Sequence, residues 1–98
     1  MSSLNKGRIY VLYNPGTTED CYKVLFTKHI TRIINFYNKC YPEDFEVKYI
    51  SNEISNYKNM LKKIRNKLRE YHIKSDFFKC NLNIIIDCIK EFSSSQPI

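Results

Sequence analysis

The hydrophobic positions along the chain change their spacing several times, and each change marks a predicted element. Residues 8–13 and 21–26 are short runs rich in aromatic and β-branched side chains, and an Asn-Pro-Gly turn separates them. Such runs on either side of a turn predict two strands of an antiparallel hairpin. Residues 45–50 alternate apolar with polar side chains and predict a third strand.

Three further segments repeat their hydrophobic residues at the spacing of an α-helix. The first predicted helix follows Thr27, whose hydroxyl is a candidate N-cap, and the second begins at a Ser51 or Asn52 cap. The second helix carries an apolar seam made of Tyr57, Leu61, Ile64, Leu68 and Tyr71. A third helix is predicted over residues 82–92, capped by Asn81.

The element order β-β-α-β-α-α predicts an α+β fold, with a three-stranded antiparallel sheet and helices packed on it. A chain of 98 residues and 11.8 kDa has room for one domain, which we place at residues 1–92, followed by a frayed tail at 93–98. No apolar run approaches the length of a membrane span, so no membrane partner is expected. The N-terminal residues lack the apolar stretch of a secretory signal, so we expect an intracellular location and free thiols at all four cysteines.

Charge is the first feature that indicates a partner. The net charge is +6, and Glu70 is the only acidic residue from 54 to 75. The cations of this stretch are Lys58, Lys62, Lys63, Arg65, Lys67 and Arg69. A basic helix face about 20 Å long predicts electrostatic, sequence-tolerant contact with the phosphates of a nucleic acid. The alternative is an ordinary solvated helix surface.

Two other compositional features change the picture less. The chain has no Ala and no Trp but ten Asn, 12 Lys and 13 Ile, and codons rich in A and T encode the last three. This bias indicates an A/T-rich genome, as in many large DNA viruses, some parasites and some bacteria. A zinc site built from His29, Cys40 or His72 is an alternative, but their spacing matches no zinc motif, so no metal site is predicted.

Four short motifs follow one another along the chain. They are Gly7-Arg8-Ile9-Tyr10-Val11-Leu12 with Asn14-Pro15, then Tyr22-Lys23-Val24-Leu25-Phe26-Thr27, then Tyr37-Asn38 before Tyr41-Pro42-Glu43-Asp44-Phe45-Glu46-Val47, and last Ser75-Asp76-Phe77-Phe78. In this order, over residues 7–90, they resemble the GIY-YIG nuclease superfamily, especially its small phage- and virus-borne branch, which occurs alone or fused to Bro-type proteins. The resemblance implies a GIY-YIG-like fold and phosphodiester hydrolysis with one divalent metal.

The family's catalytic residues carry over incompletely. The resemblance implies Tyr10 and Tyr22 as the two motif tyrosines and Arg32, one residue away from the expected position, as the phosphate-stabilising arginine. The glycine of the second motif is Leu25 here, and the metal-binding glutamate falls on Leu61, which cannot bind a metal. The resemblance therefore implies a degenerate nuclease.

Three functions remain open at this point. The first is a catalytically inactive GIY-YIG-like viral domain that needs no cofactor and binds nucleic acid through the basic helix. The second is a protein-interaction or self-associating module that acts on a host or viral partner. The third is a magnesium-dependent endonuclease with a rearranged site that uses Tyr10, Tyr22, Arg32 and Asp76. Salt dependence of binding, oligomeric state and plasmid nicking distinguish the three.

Overall fold

A computed structural model of the protein describes residues 6–55 and 57–93. The elements are β1 Arg8–Tyr13, β2 Cys21–Thr27, α1 Ile30–Cys40, β3 Glu46–Ile50, α2 Tyr57–Lys67, a 3-10 turn Arg69–Tyr71, β4 His72–Lys74, β5 Phe77–Lys79 and α3 Leu82–Ser93. The α+β class is therefore confirmed. The predicted frayed tail at 93–98 lies outside the described residues, apart from Ser93, with which α3 ends.

The sheet has five strands in the order β3-β1-β2-β5-β4, and every neighbouring pair is antiparallel. The predicted count of three strands is wrong, because β4 and β5 form a further hairpin against β2. Each of these strands has three residues, which is too short to show an alternating pattern. The turn between them contains Ser75 with φ of 53°, a left-handed conformation that reverses the chain tightly.

Helices cover both faces of this sheet. On one face, Ile9 and Val11 of β1 belong to a core that includes buried side chains of α2 and α3. On the other face, Tyr10 and Leu12 of β1 pack with side chains of α1. Because β1 and β2 are buried from both sides, they appear in the sequence as nearly continuous apolar runs.

The start of α2 differs from its predicted cap. The Ser51 hydroxyl accepts a hydrogen bond from the Ile9 amide at 2.8 Å and donates one to the Asn52 carbonyl at 2.8 Å. Ser51 is therefore bonded to the backbone of β1 and does not cap a helix. Helix α2 then begins at Tyr57, because the preceding residues continue along β1 through a bridge between Gly7 and Ile54. This bridge moves the helix start away from the polar residues that predicted it.

Of the other two predicted N-caps, Asn81 caps its helix and Thr27 does not. The Thr27 hydroxyl accepts a hydrogen bond from the His29 amide at 2.9 Å, but Thr27 ends β2 and α1 begins only at Ile30. The Asn81 side chain accepts a hydrogen bond from the Asn83 amide at 2.9 Å, as expected of a residue that caps α3.

The predicted seam of α2 is buried only in part. Ile64 and Leu68 are fully buried, and Met60, which the predicted seam omitted, joins them in the core. The other three seam residues, Tyr57, Leu61 and Tyr71, are half-buried. The helix is therefore rotated so that one edge of its seam reaches the surface.

All four cysteines are free thiols, as predicted, and Cys21 and Cys88 are buried. In the described part of the chain, no helix is both long and apolar enough to cross a lipid bilayer.

Candidate nucleic-acid interface

The three residues proposed for catalysis lie in three different places. Tyr10 faces α1 and pairs across the strands with Leu25. Tyr22 lies in the core on the opposite face, where its ring centre is 5.6 Å from that of Tyr13, and burial raises the pKa of its phenol, with Asp20 adding to the effect. Arg32 is exposed on the outer side of α1. The structure therefore does not bring the three side chains into one site.

A buried lysine, which sequence reasoning did not single out, shares the sheet face of Tyr10. Lys23 is 6% exposed, and its Nζ lies 4.9 Å from the ring centre of Tyr37 and 4.8 Å from that of Phe77. The same Nζ is 3.7 Å from Oδ2 of Asp76. The one available signal was a lysine in the middle of an apolar strand, and a cation there must find π faces or an anion.

Asp76 connects this lysine with the basic helix. Its Oδ1 accepts a hydrogen bond from Nη2 of Arg65 on α2 at 3.1 Å, while its Oδ2 faces Lys23 on β2. Burial, and in second place Asp76, raises the pKa of Tyr37. The carboxylate therefore contacts two cations and ties the β4–β5 turn to both β2 and α2.

The six cations predicted to bind nucleic acid are all exposed, but two of them are held in ion pairs. Lys67 bonds Oε1 of Glu91 on α3 at 2.6 Å, and this hydrogen bond raises its pKa. Arg65 bonds Asp76. The remaining four form no ion pair within the described residues, and they are Lys58, Lys62, Lys63 and Arg69. The basic helix therefore presents a face of unneutralised charge.

A groove runs beside this face, and we call it the α2 groove. Its larger part has a volume of about 650 Å³ and is lined by Lys62, Lys63, Arg65, Asn66, Arg69, His72 and Phe78. The smaller part, of about 440 Å³, is lined by Tyr57, Lys58, Leu61, Lys62 and Arg65. Lys62 and Arg65 line both parts, so the two lie next to each other along α2. At about 100° of rotation per residue, Lys58, Lys62 and Arg65 fall on one stripe of the helix, and the stripe follows the groove.

Two aromatic residues line the groove in different ways. Phe78 is 1% exposed and forms part of its floor, so its ring is closed to a ligand. Tyr57 is half-buried, and its ring stacks on Phe26 with centres 4.0 Å apart and planes 5° apart. The groove is thus a cationic channel with an apolar floor.

A sequence model of the T5orf172 domain matches residues 7–93. The chain belongs to the T5orf172 domain family. This family is associated with GIY-YIG- and HNH-like endonucleases. No curated protein and no solved structure matches the chain significantly. The matched range includes every strand and helix described above, so the α2 groove lies within the T5orf172 domain itself.

The T5orf172 domain shows no assembled metal site in residues 6–55 and 57–93, where no three His, Cys, Asp or Glu side chains lie close enough to hold one ion. His29 precedes α1, Cys40 ends it, and His72 begins β4. His72 instead has Nε2 2.6 Å from the Ser75 carbonyl oxygen. Leu61 lines the α2 groove among the cations, at the position where the sequence resemblance places a glutamate.

Proposed function

We propose that this T5orf172 domain binds nucleic acid along the α2 groove and does not cleave it. The proposal rests on one observation, the four cations beside the α2 groove that form no ion pair with a described residue. Lysine and arginine side chains that protrude from a helix contact phosphates, and these contacts carry no base information. Binding is therefore electrostatic and tolerant of sequence.

The number of cations sets the expected salt dependence. Four phosphate contacts give a slope of log K against log salt of about −3.6 on duplex DNA and about −2.8 on single strands. Between about 50 and 200 mM salt, the affinity then falls roughly 50- to 150-fold. A measured slope near zero would contradict phosphate contact by this face.

We also propose that the fold is GIY-YIG-like and that the domain lacks the catalytic residues of GIY-YIG nucleases. Tyr10 and Tyr22 pack in cores on opposite faces of the sheet, an arrangement that does not favour joint action of their hydroxyls on one phosphate. Leu25 packs beside Tyr10, and Leu61 offers no ligand to a metal. These placements support a domain that keeps a binding surface without a catalytic set.

The binding experiment compares one charge reversal in the groove with one outside it. Fluorescence anisotropy with labelled DNA and RNA is measured for the wild type, for Lys62→Glu, and for Lys90→Glu on the exposed surface of α3. We expect Lys62→Glu to weaken binding at least tenfold and Lys90→Glu to change it less than threefold. Equal effects would show that net charge, and no particular face, controls binding.

The absence of cleavage is tested separately. Plasmid DNA is incubated with the protein and magnesium or manganese, beside a Tyr10→Phe variant. We expect no nicking by either protein. Nicking that Tyr10→Phe abolishes would replace this part of the proposal with a magnesium-dependent endonuclease, whereas nicking that survives the change would indicate a contaminant.

A second candidate, self-association or binding to a protein partner, is favoured by the edge strand β3. Val47 is 41% exposed and Ile50 is 51% exposed on this strand, whose outer side pairs with no described strand. Sedimentation velocity separates the candidates, because a groove-binding monomer sediments as one species at all concentrations.

We also propose that the protein is intracellular. Four free thiols suit a reducing compartment, and the codon bias of the composition suits a virus with an A/T-rich genome. Thiol titration of protein isolated without reductant tests the first point.

A further inference from the structure

The outer surface of α1 carries a second concave basic region, on the opposite side of the sheet from the α2 groove. We call it the α1 surface, and its volume is about 790 Å³. It is lined by Lys28, His29, Ile30, Thr31, Arg32, Asn35, Phe36 and Lys39. No acidic residue occurs from 28 to 40. The region is therefore basic independently of α2.

An exposed aromatic ring lies in the middle of this region. Phe36 is 62% exposed, more than any other large apolar side chain in the part of the chain that the structure describes. Ile33 and Tyr37 of the same helix pack inward against the sheet, and Phe36 lies on the flank of this buried stripe, about 60° around the helix from Ile33. Its ring is tilted against that of Tyr37, with centres 5.9 Å apart. This single ring contact leaves most of the Phe36 side chain open to solvent.

Cations flank this ring along the helix. Arg32 is four residues before Phe36 and Lys39 is three residues after it, so all three share one side of α1. Arg32 and Lys39 are about 10 Å apart along the axis at 1.5 Å per residue. Both are exposed, and neither forms an ion pair with a described residue.

A flat apolar ring between two cations fits a ligand that has flat apolar faces and negative charges. Nucleotides of a single strand have this chemistry, because their bases are unpaired and can stack on an aromatic side chain while phosphates contact basic residues. In a duplex, the base faces are stacked on neighbouring bases and are not available to an aromatic side chain. We propose that the α1 surface is a second nucleic-acid site, specific for single strands, in which an unpaired base stacks on Phe36 and phosphates contact Arg32 and Lys39.

This site is separate from the function proposed for the α2 groove, because α1 and α2 cover opposite faces of the sheet. It also gives the exposed Arg32 a role that does not require catalysis. Stacking of one base predicts a loss of about 5- to 150-fold in single-strand affinity when the ring is removed. Duplex affinity is expected to stay within twofold.

The chain contains no tryptophan, so a tryptophan placed at position 36 is the only one that emits. The experiment uses Phe36→Trp in a Lys58→Glu, Lys62→Glu background, which weakens the α2 groove. Single-stranded oligonucleotides are titrated in, with an abasic oligonucleotide of equal length and a duplex as comparisons. The matched control is Ile84→Trp, at a position 39% exposed on α3 beside Asp87.

We expect the single strand to quench Phe36→Trp saturably, the abasic strand and the duplex to quench it weakly, and Ile84→Trp to remain unchanged. Unchanged emission while anisotropy reports binding would overturn this inference and leave the α2 proposal intact. Emission that shifts only with vesicles of anionic lipid would overturn it in favour of a membrane surface. Quenching at position 36 without any effect of Lys62→Glu on binding would support the α1 site and refute the α2 groove.

A second variant protects the test against a folding defect. Phe36→Leu keeps an apolar side chain but removes the ring, and circular dichroism checks that the helices remain. We expect Phe36→Leu to lower single-strand affinity and to leave duplex affinity unchanged. Equal losses on both ligands would overturn the stacking argument.

Discussion

Replacing Asp76 by asparagine tests how much the fold depends on the carboxylate that faces the buried lysine. The change keeps the size of the side chain and removes its charge. Lys23, with 7% of its side chain exposed, then keeps two aromatic rings but loses its anion. Breaking a fully buried pair costs about 3–5 kcal/mol. Since the Asp76 side chain is 31% exposed and solvent screens part of the interaction, we expect a cost of about 1–3 kcal/mol.

The assay is urea unfolding followed by circular dichroism, with thermal unfolding beside it. For a domain of this size, the expected cost lowers Tm by about 5–20 °C. Lys23→Met is the matched partner, because methionine fills the same space between the rings without a charge. We expect Lys23→Met to be nearly neutral and the double variant to be more stable than Asp76→Asn alone.

A second ion pair serves as a control that distinguishes the effect of burial on stability from the effect of the distance between the charges. Lys48 and Glu46 form a closer pair, at 2.9 Å against 3.7 Å, but both side chains are well exposed. We expect Glu46→Gln to leave the unfolding midpoint unchanged. An equal or larger effect of Glu46→Gln, or no recovery in the double variant, would refute the view that the buried cation makes Asp76 important.

Further predictions concern packing and thiols. A Cβ at Gly7 would lie 2.5 Å from Cζ of Phe26, whose ring stacks on Tyr57. We therefore expect Gly7→Ala to lower the free energy of unfolding in urea by about 1–3 kcal/mol. An unchanged unfolding midpoint would show that the Phe26 ring moves freely. Burial raises the pKa of Cys80 to about 11, which leaves roughly one thiolate in a thousand at pH 8. In native protein at that pH, a thiol reagent should therefore label the exposed Cys40 first, and mass spectrometry of peptides would show a contrary order.

Much of the fold follows from local patterns. The first three strands and the three helices were predictable because each is long enough to show a spacing of two or of three to four residues. The hairpin of β4 and β5 was not, since three residues reveal no period and its two phenylalanines contact opposite faces of the sheet. Phe77 packs on the α1 side, and Phe78 packs on the side of α2 and α3.

The candidate site was predictable only as a list of charges. The run of lysines and arginines identified the basic helix. Nothing local indicated that Lys67 forms an ion pair with Glu91, or Arg65 with Asp76. These partners are 24 and 11 residues away in the chain. Likewise, the burial of Lys23 depends on side chains that are distant in sequence, such as Tyr37 and Phe77.

The β4–β5 hairpin has one more consequence, for how the sheet ends. Strand β5 pairs with β2 from Cys21 to Lys23, and without it the most apolar strand after β1 would offer unpaired backbone groups to any other chain. The outermost strand, β4, has only three residues, all exposed, in which the apolar Ile73 lies between His72 and Lys74. An edge this short, with a lysine in it, discourages sheets of different molecules from joining there, so the same hairpin that carries Asp76 also limits aggregation at this end of the sheet.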